Sequence, residues 1–141
     1  MTTVVNIYKD EYDVYIGRAG KGQDGYFGNP VQINKICPEC GEIHKDKGST
    51  LPCYAVYLYS KMDTDPVFKQ RILDLKDKRL GCFCVKKPST FLDKPWCCHG
   101  QYIAWYLDMP DMVTEEICKL ARQSLLSSDD LNRIFSPEKN D

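Results

Sequence analysis

Long apolar runs and an excess of charge are both missing from this sequence. No apolar run approaches the ~20 residues that a transmembrane helix requires, so we expect no membrane span. The first residues lack a basic segment followed by an apolar one, the pattern of a secretory signal, so we expect a cytosolic protein. A net charge of −1 argues against broad nucleic-acid binding, which requires a basic face.

Histidine is scarce and cysteine is plentiful, with 2 histidines and 8 cysteines in 141 residues. In a secreted chain, such a cysteine content would indicate disulfides. Here the Cys-x-x-Cys and Cys-x-Cys spacings, without a secretory signal, favour metal ligation. A chain of this length can bury the core of one domain without disulfides, and it contains no internal repeat.

The apolar patterns predict a small single α/β domain over residues 1–108, with a short mixed or parallel sheet and flanking helices, Rossmann-like or related. The second predicted strand follows the first closely enough to pair with it as a hairpin. Residues 109–141 are predicted to form a helical extension packed on this core. The predicted strands are residues 4–8, 12–16 and 80–84, and the predicted helices are residues 51–62, 65–76, 98–107, 114–126 and 128–135.

A zinc-knuckle insertion is predicted at residues 34–53. Cys37 and Cys40 have the Cys-x-x-Cys spacing, and Gly41 lets the backbone amides turn towards the sulfurs. His44 and Cys53 complete a Cys₃His set, with Cys53 offered from the start of the next helix. Cys97 is an alternative to His44 as the fourth ligand, and a free Cys-x-x-Cys without metal is the alternative to the site itself.

A second group of candidates lies where the third strand leads towards the last core helix. Cys82 and Cys84 share one face of a strand, while Cys98 and His99 begin a helix whose dipole favours a thiolate. One hypothesis is a second zinc site made by these four residues. Another is a reactive thiolate, or His99 as an acid–base group, beside a phosphate or ribose. The third hypothesis is that these cysteines are buried and only fill the hydrophobic core.

Five glycines fall within residues 17–30, which therefore form a long loop. Its first part, Gly17-Arg18-Ala19-Gly20-Lys21-Gly22, exposes backbone amides beside two cations and can cradle a phosphate. It matches neither the Walker loop nor the dinucleotide fingerprint, since no helix clearly follows it. A loop that only faces solvent is the alternative.

These pieces together resemble the phage and bacterial family catalogued as domain of unknown function 4326. The resemblance covers about residues 4–107. Two departures are a longer loop before Cys98 and the zinc-knuckle insertion. The motifs that carry it are Tyr15-Ile16-Gly17-Arg18, Phe27-Gly28-Asn29-Pro30, a tyrosine-rich helix, Cys82-Phe83-Cys84 and Cys98-His99-Gly100.

The resemblance implies that the glycine-rich loop and the cysteine–histidine group converge on one pocket. From these considerations we assign ligand binding to Gly17, Arg18, Lys21, Gly28 and Asn29, and catalysis to His99, Cys98 and Cys84. The leading hypothesis is a zinc-binding protein of phage origin, in the bacterial host cytoplasm, with a nucleotide- or nucleoside-like ligand. It would be a hydrolase or transferase acting on a glycosidic or phosphoryl bond. The alternatives are a non-catalytic phage accessory protein that sequesters a small molecule or inhibits a host protein, and a structural zinc adaptor.

Overall fold

The computed structural model describes residues 1–20, 22–46, 49–93 and 96–109. It has a small α/β fold, as predicted. The predicted helices at residues 114–126 and 128–135 lie outside the described residues. The elements are β1 (Thr3–Asn6), β2 (Val14–Tyr15), α1 (Leu51–Thr64), α2 (Pro66–Leu73), β3 (Arg79–Cys82) and α3 (His99–Asp108).

The sheet is open and parallel, in the order β1-β3-β2. Val4 and Val14 both pair with Leu80 of the central strand. The prediction that the first two strands form a hairpin is therefore wrong, since each pairs with β3 and they do not pair with each other. Alternation of apolar and polar residues identifies a strand, but it carries no information about the partner of that strand.

Residues 7–13 return the chain from the end of β1 to the start of β2 by crossing over the central strand. A Cβ atom at Gly81 would lie 2.7 Å from Ile7 Cγ2 and 2.7 Å from Tyr12 Cγ, so only glycine leaves room for this crossing. Since side chains alternate along a strand, Leu80 and Cys82 point to the opposite face. That face carries the helices and the hydrophobic core.

The second and third helices begin at capping residues whose side chains accept hydrogen bonds from the first amides. Asp65 separates α1 from α2 and caps α2, because its carboxylate accepts hydrogen bonds from the amides of Val67 and Phe68 at 3.1 Å. Cys98 and Gln101 form a capping box at the start of α3. No helix among the described residues has the length and apolar character needed to cross a membrane. The core includes Val4, Ile16, Leu58, Tyr59, Phe68, Leu80, Tyr102 and Ile103.

Candidate functional site

Four potential metal ligands meet at a short β-hairpin before α1. We call Cys37, Cys40, His44 and Cys53 the hairpin cluster; their ligand atoms all lie within 4.8 Å of one another. An antiparallel bridge between Ile36 and Ile43 closes the hairpin. Four ligands held by a tetrahedral zinc ion at ~2.3 Å would be about 3.8 Å apart. The hairpin cluster could therefore hold a metal ion after only small shifts.

The hydrogen bonds of this hairpin stabilise sulfur ligands. The Glu39 amide donates to Cys37 Sγ at 3.3 Å, and Cys40 Sγ lies 3.5 Å from His44 Nε2. Burial raises the pKa of the Cys53 thiol, and the neighbouring thiols of Cys37 and Cys40 raise it further. A metal ion that binds Cys53 would therefore have to displace the thiol proton. Of the two predicted fourth ligands, the structure brings His44 to this cluster. It places Cys97 elsewhere, with its Sγ 3.6 Å from the Cys84 carbonyl oxygen.

Three more thiols meet at the carboxyl end of the central strand. We call Cys82, Cys84 and Cys98 the sheet-end cluster; their sulfurs also lie within 4.8 Å of one another, and this group too could hold a metal ion. Cys82 Sγ is 3.5 Å from Cys84 Sγ and 3.2 Å from Cys98 Sγ. The α3 amide of Gly100 donates to Cys98 Sγ at 3.3 Å. Hydrogen bonds from the Cys84 and Cys98 thiols lower the pKa of Cys82.

His99 lies beside the sheet-end cluster and is not one of its members. Its Nδ1 is 3.8 Å from Cys98 Sγ, while its Nε2 is 2.6 Å from the carbonyl oxygen of Ile16. Because a carbonyl oxygen only accepts hydrogen bonds, Nε2 carries the proton and Nδ1 keeps its lone pair in the neutral ring. Burial lowers the pKa of His99, which favours this neutral form.

The glycine-rich loop and the Gly28-Asn29 turn pack against each other through their backbones. A Cβ atom at Gly28 would lie 2.8 Å from the Gly17 carbonyl oxygen. The Arg18 guanidinium donates to the carbonyl oxygens of Asn29 and Val31, the latter at 2.9 Å. The Asn29 side chain donates to Thr50 Oγ1 at 3.1 Å and accepts from the Val31 amide at 2.9 Å. These residues therefore connect the loop to the start of α1.

A cavity of about 800 Å³ lies outside the carboxyl ends of all three strands. In parallel α/β sheets this is the usual position of a ligand site. Residues that follow each strand line it, together with the first residues of α1 and α3. Arg18 is the only charged residue among the described lining residues, none of which is a carboxylate. The cavity is lined by Ile7, Tyr8, Tyr15, Gly17, Arg18, Ala19, Gly20, Gln23, Asn29, Ile33, Thr50, Leu51, Cys82, Phe83, Cys84, Cys97 and His99.

The structure thus brings most of the predicted ligand-binding and catalytic residues to one place. Gly28 braces the cavity without lining it, and Lys21 lies outside the described residues. Cys98 is completely buried behind the cavity wall. Sequence reasoning missed Phe83 and Thr50; the signal for Phe83 was its position directly after a strand, between two cysteines already singled out.

Similarity to known proteins is found at the level of a protein family. No curated protein and no solved structure matches the chain. The family model described as Domain of unknown function (DUF4326) matches residues 4–109. This match contains both clusters, the helices α1, α2 and α3, and nearly all of the sheet that the structure describes. The chain therefore belongs to the DUF4326 family.

Proposed function

We propose that this protein binds a nucleotide- or nucleoside-like ligand in the cavity at the sheet end, with zinc in the hairpin cluster as a structural ion. The observation that carries the proposal is the composition of the cavity. It combines one cation, no carboxylate among the described lining residues, two helix N-termini and a wall of aromatic rings. Its volume of about 800 Å³ is within the range of small-molecule sites.

The phosphate of such a ligand fits between the glycine-rich loop and the start of α1. Helix N-termini attract anions through their unpaired amides and the helix dipole. A guanidinium has five N–H donors, and the two hydrogen bonds of Arg18 to backbone carbonyls leave three that can contact phosphate. Those two bonds also hold the side chain in place, so a ligand would meet a cation that is already oriented.

The base fits against an aromatic wall. The Phe83 ring lies 5.4 Å from the Tyr8 ring and 6.0 Å from the Tyr15 ring, measured between centroids. Tyr8 is 71% exposed and Phe83 is 46% exposed, although both are large rings. A planar heterocycle stacked here would cover apolar surface that the fold leaves open to solvent.

The reaction most compatible with this site is hydrolysis or group transfer at a glycosidic or phosphoryl bond. His99 Nδ1 would accept a hydrogen bond from a ligand hydroxyl or an attacking water. Cys84 lines the cavity together with His99. Cys98 is completely buried, so its thiol would support the site without touching the ligand. A protein that binds the ligand without turning it over is the alternative, and product analysis separates the two.

Zinc is the ion that best fits the hairpin cluster. Three thiolates and one imidazole in a tetrahedral arrangement are typical of closed structural zinc sites. The hairpin itself buries little, since Ile36 is 73% exposed and Ile43 is 49% exposed. A bound ion would therefore supply most of the energy that holds this segment against α1.

Gln23 offers a test of the ligand proposal, because it lines the cavity and its carboxylate analogue has the same shape. In calorimetric titrations with nucleoside monophosphates, we expect Gln23→Glu to weaken binding about threefold to tenfold, since like charges about 4 Å apart in water cost about 1 kcal/mol. The control variant Gln23→Ala should bind nearly as well as the wild type.

Uncharged nucleosides should be insensitive to the Gln23→Glu change. If Gln23→Glu weakens the binding of nucleosides and nucleotides equally, the phosphate does not lie beside Gln23 in the glycine-rich loop. No binding of either class to the wild-type protein would overturn the proposed function. For the reaction, His99→Gln should abolish product formation while the protein still binds the ligand.

A further inference from the structure

The two clusters differ in a way that indicates different roles. The hairpin cluster offers four ligand atoms, which is the number that closes a tetrahedral site. The sheet-end cluster offers three, and among the described residues no fourth Cys, His, Asp or Glu atom lies within 4.8 Å of all of them. Three protein ligands with one open position are typical of catalytic zinc sites.

We propose that Cys82, Cys84 and Cys98 form a second zinc site whose open coordination position faces the cavity. The sulfur separations of 3.2 and 3.5 Å already approach the spacing of about 3.8 Å that a tetrahedral zinc ion imposes on three thiolates. The ion binds as a divalent cation, and each protonated thiol that coordinates it releases its proton to solvent. A thiolate-rich set of this kind selects a soft or borderline metal such as zinc.

The open position must lie on the cavity side. Cys98 is completely buried, and its sulfur is covered by the first turn of α3 through the Gly100 amide. Cys82 and Cys84 line the cavity. The side of the sulfur triangle that a small molecule can reach is therefore the cavity side, which His99 also lines.

His99 is placed to assist a molecule bound at this position without being a ligand itself. Its Nε2–H is committed to the Ile16 carbonyl oxygen at 2.6 Å, which fixes the ring. Its Nδ1 lone pair lies on the side of the sheet-end cluster, 3.8 Å from Cys98 Sγ. Among the described residues, the group whose ligand atoms all lie within 4.8 Å of one another contains the three thiols and not His99. The fourth position therefore takes water or a nitrogen, oxygen or sulfur atom of the cavity ligand, and Nδ1 accepts a hydrogen bond from that atom where it carries a proton.

This inference deepens the proposed function, since it adds a metal contact to the same ligand pocket. The metal site can nevertheless be tested without any nucleotide. Cobalt(II) reports coordination through its visible absorption, and imidazole serves as the probe that enters an open position. The full chain is loaded with cobalt in the presence of a phosphine reductant, which keeps the thiols reduced.

Two variants separate the clusters. Cys37→Ser/Cys40→Ser removes two of the four ligands of the hairpin cluster, and Cys84→Ser removes a half-buried ligand of the sheet-end cluster, so neither altered cluster keeps three. We expect two cobalt ions per wild-type chain and one in each variant. Imidazole should change the cobalt spectrum of Cys37→Ser/Cys40→Ser and leave that of Cys84→Ser unchanged.

If Cys84→Ser retains every cobalt ion that the wild type binds, the inference is overturned. It is also overturned by a cobalt spectrum that imidazole leaves unchanged in both the wild type and Cys37→Ser/Cys40→Ser, because the site would then be closed by a fourth protein ligand. If Cys84→Ser does not fold, the cobalt spectrum of the wild-type protein tests the inference by itself. Imidazole should then change the absorption of one of the two bound cobalt ions. Cobalt and imidazole binding without nucleotide binding would disprove the proposed ligand and leave the metal site intact.

Discussion

Gly81 shows how one residue determines the path of the chain. It lies in the middle of the central strand, where a side chain would normally stabilise the sheet. Here the position of its missing Cβ is taken by Ile7 and Tyr12, 2.7 Å away, from the segment that crosses between β1 and β2. Glycine at position 81 therefore allows residues 7–13 to cross the central strand, so that β2 can pair with β3.

Replacing Gly81 by alanine should destabilise the protein by about 1–3 kcal/mol, the usual cost of an overpacked core position. The free energy of unfolding from urea titrations measures this. In the double variant Gly81→Ala/Tyr12→Ala, the loss should be smaller than the sum of the two single losses, because removal of the ring relieves the overlap. Strict additivity would show that Tyr12 does not press on this position.

Arg18 and His99 show why the identity of a residue does not give its role. The sequence predicts that Arg18 binds phosphate, and the structure adds two hydrogen bonds to backbone carbonyls. The sequence offers His99 as a fourth ligand beside Cys98, and the structure turns its Nε2 to the Ile16 carbonyl. In both cases the partner is a backbone atom, for which a sequence pattern carries no signal.

At the scale of elements, the hairpin of residues 34–46 depends on its metal ligands. Its buried contacts involve Val31, Cys37 and Cys53, and its two isoleucines, Ile36 and Ile43, are exposed. The α/β core has its own large apolar cluster. Loss of the metal ion should therefore affect the two parts very differently.

We expect Cys40→Ser to speed amide hydrogen exchange in residues 34–46 by about tenfold or more, equivalent to about 1.4 kcal/mol or more of lost local stability. Exchange in Arg79–Cys82 should stay unchanged. Glu42→Gln is the control, because Glu42 is exposed and is not part of the hairpin cluster. Unchanged exchange in the hairpin would mean that no metal stabilises it.

At the scale of the whole molecule, Asp108 ties the end of α3 to the first residues of the chain. Its carboxylate accepts hydrogen bonds from the Thr2 amide at 2.9 Å and from Thr2 Oγ1 at 3.0 Å. Lys76, after α2, lies 3.5 Å from the same carboxylate. Since the Asp108 side chain is only 5% exposed, these bonds close the core at the end opposite the cavity.

Asp108→Ala should cost about 1–3 kcal/mol, because it leaves the buried Thr2 amide without its acceptor. Asp108→Asn keeps one acceptor oxygen and should lose less. Chemical denaturation of the two variants and the wild type gives the comparison. If both variants match the wild type, the contact with Thr2 contributes nothing to the stability of the fold.

The sequence by itself predicted the class of fold, the core helices and the residues that could bind a metal ion. Apolar periodicity and capping residues are local signals, so the core helices and the class of fold could be predicted from the order of residues alone. The spacing of Cys37, Cys40, His44 and Cys53 is also local enough to indicate a metal cluster. The motifs around Gly17, Asn29, Cys82 and Cys98 were sufficient to predict the family.

Only the tertiary structure decided which parts meet. The parallel pairing of β1 and β2 with β3 joins residues far apart in the chain, such as Thr3 with Arg79 and Val14 with Leu80, and no local pattern encodes such a pairing. The same long-range packing formed the cavity from the ends of three strands and two helices, and placed His99 Nε2 against the Ile16 carbonyl oxygen. Hydrogen-bond partners, such as the Ile16 carbonyl oxygen for His99, depend on how the core packs, because each buried polar group needs a donor or an acceptor nearby.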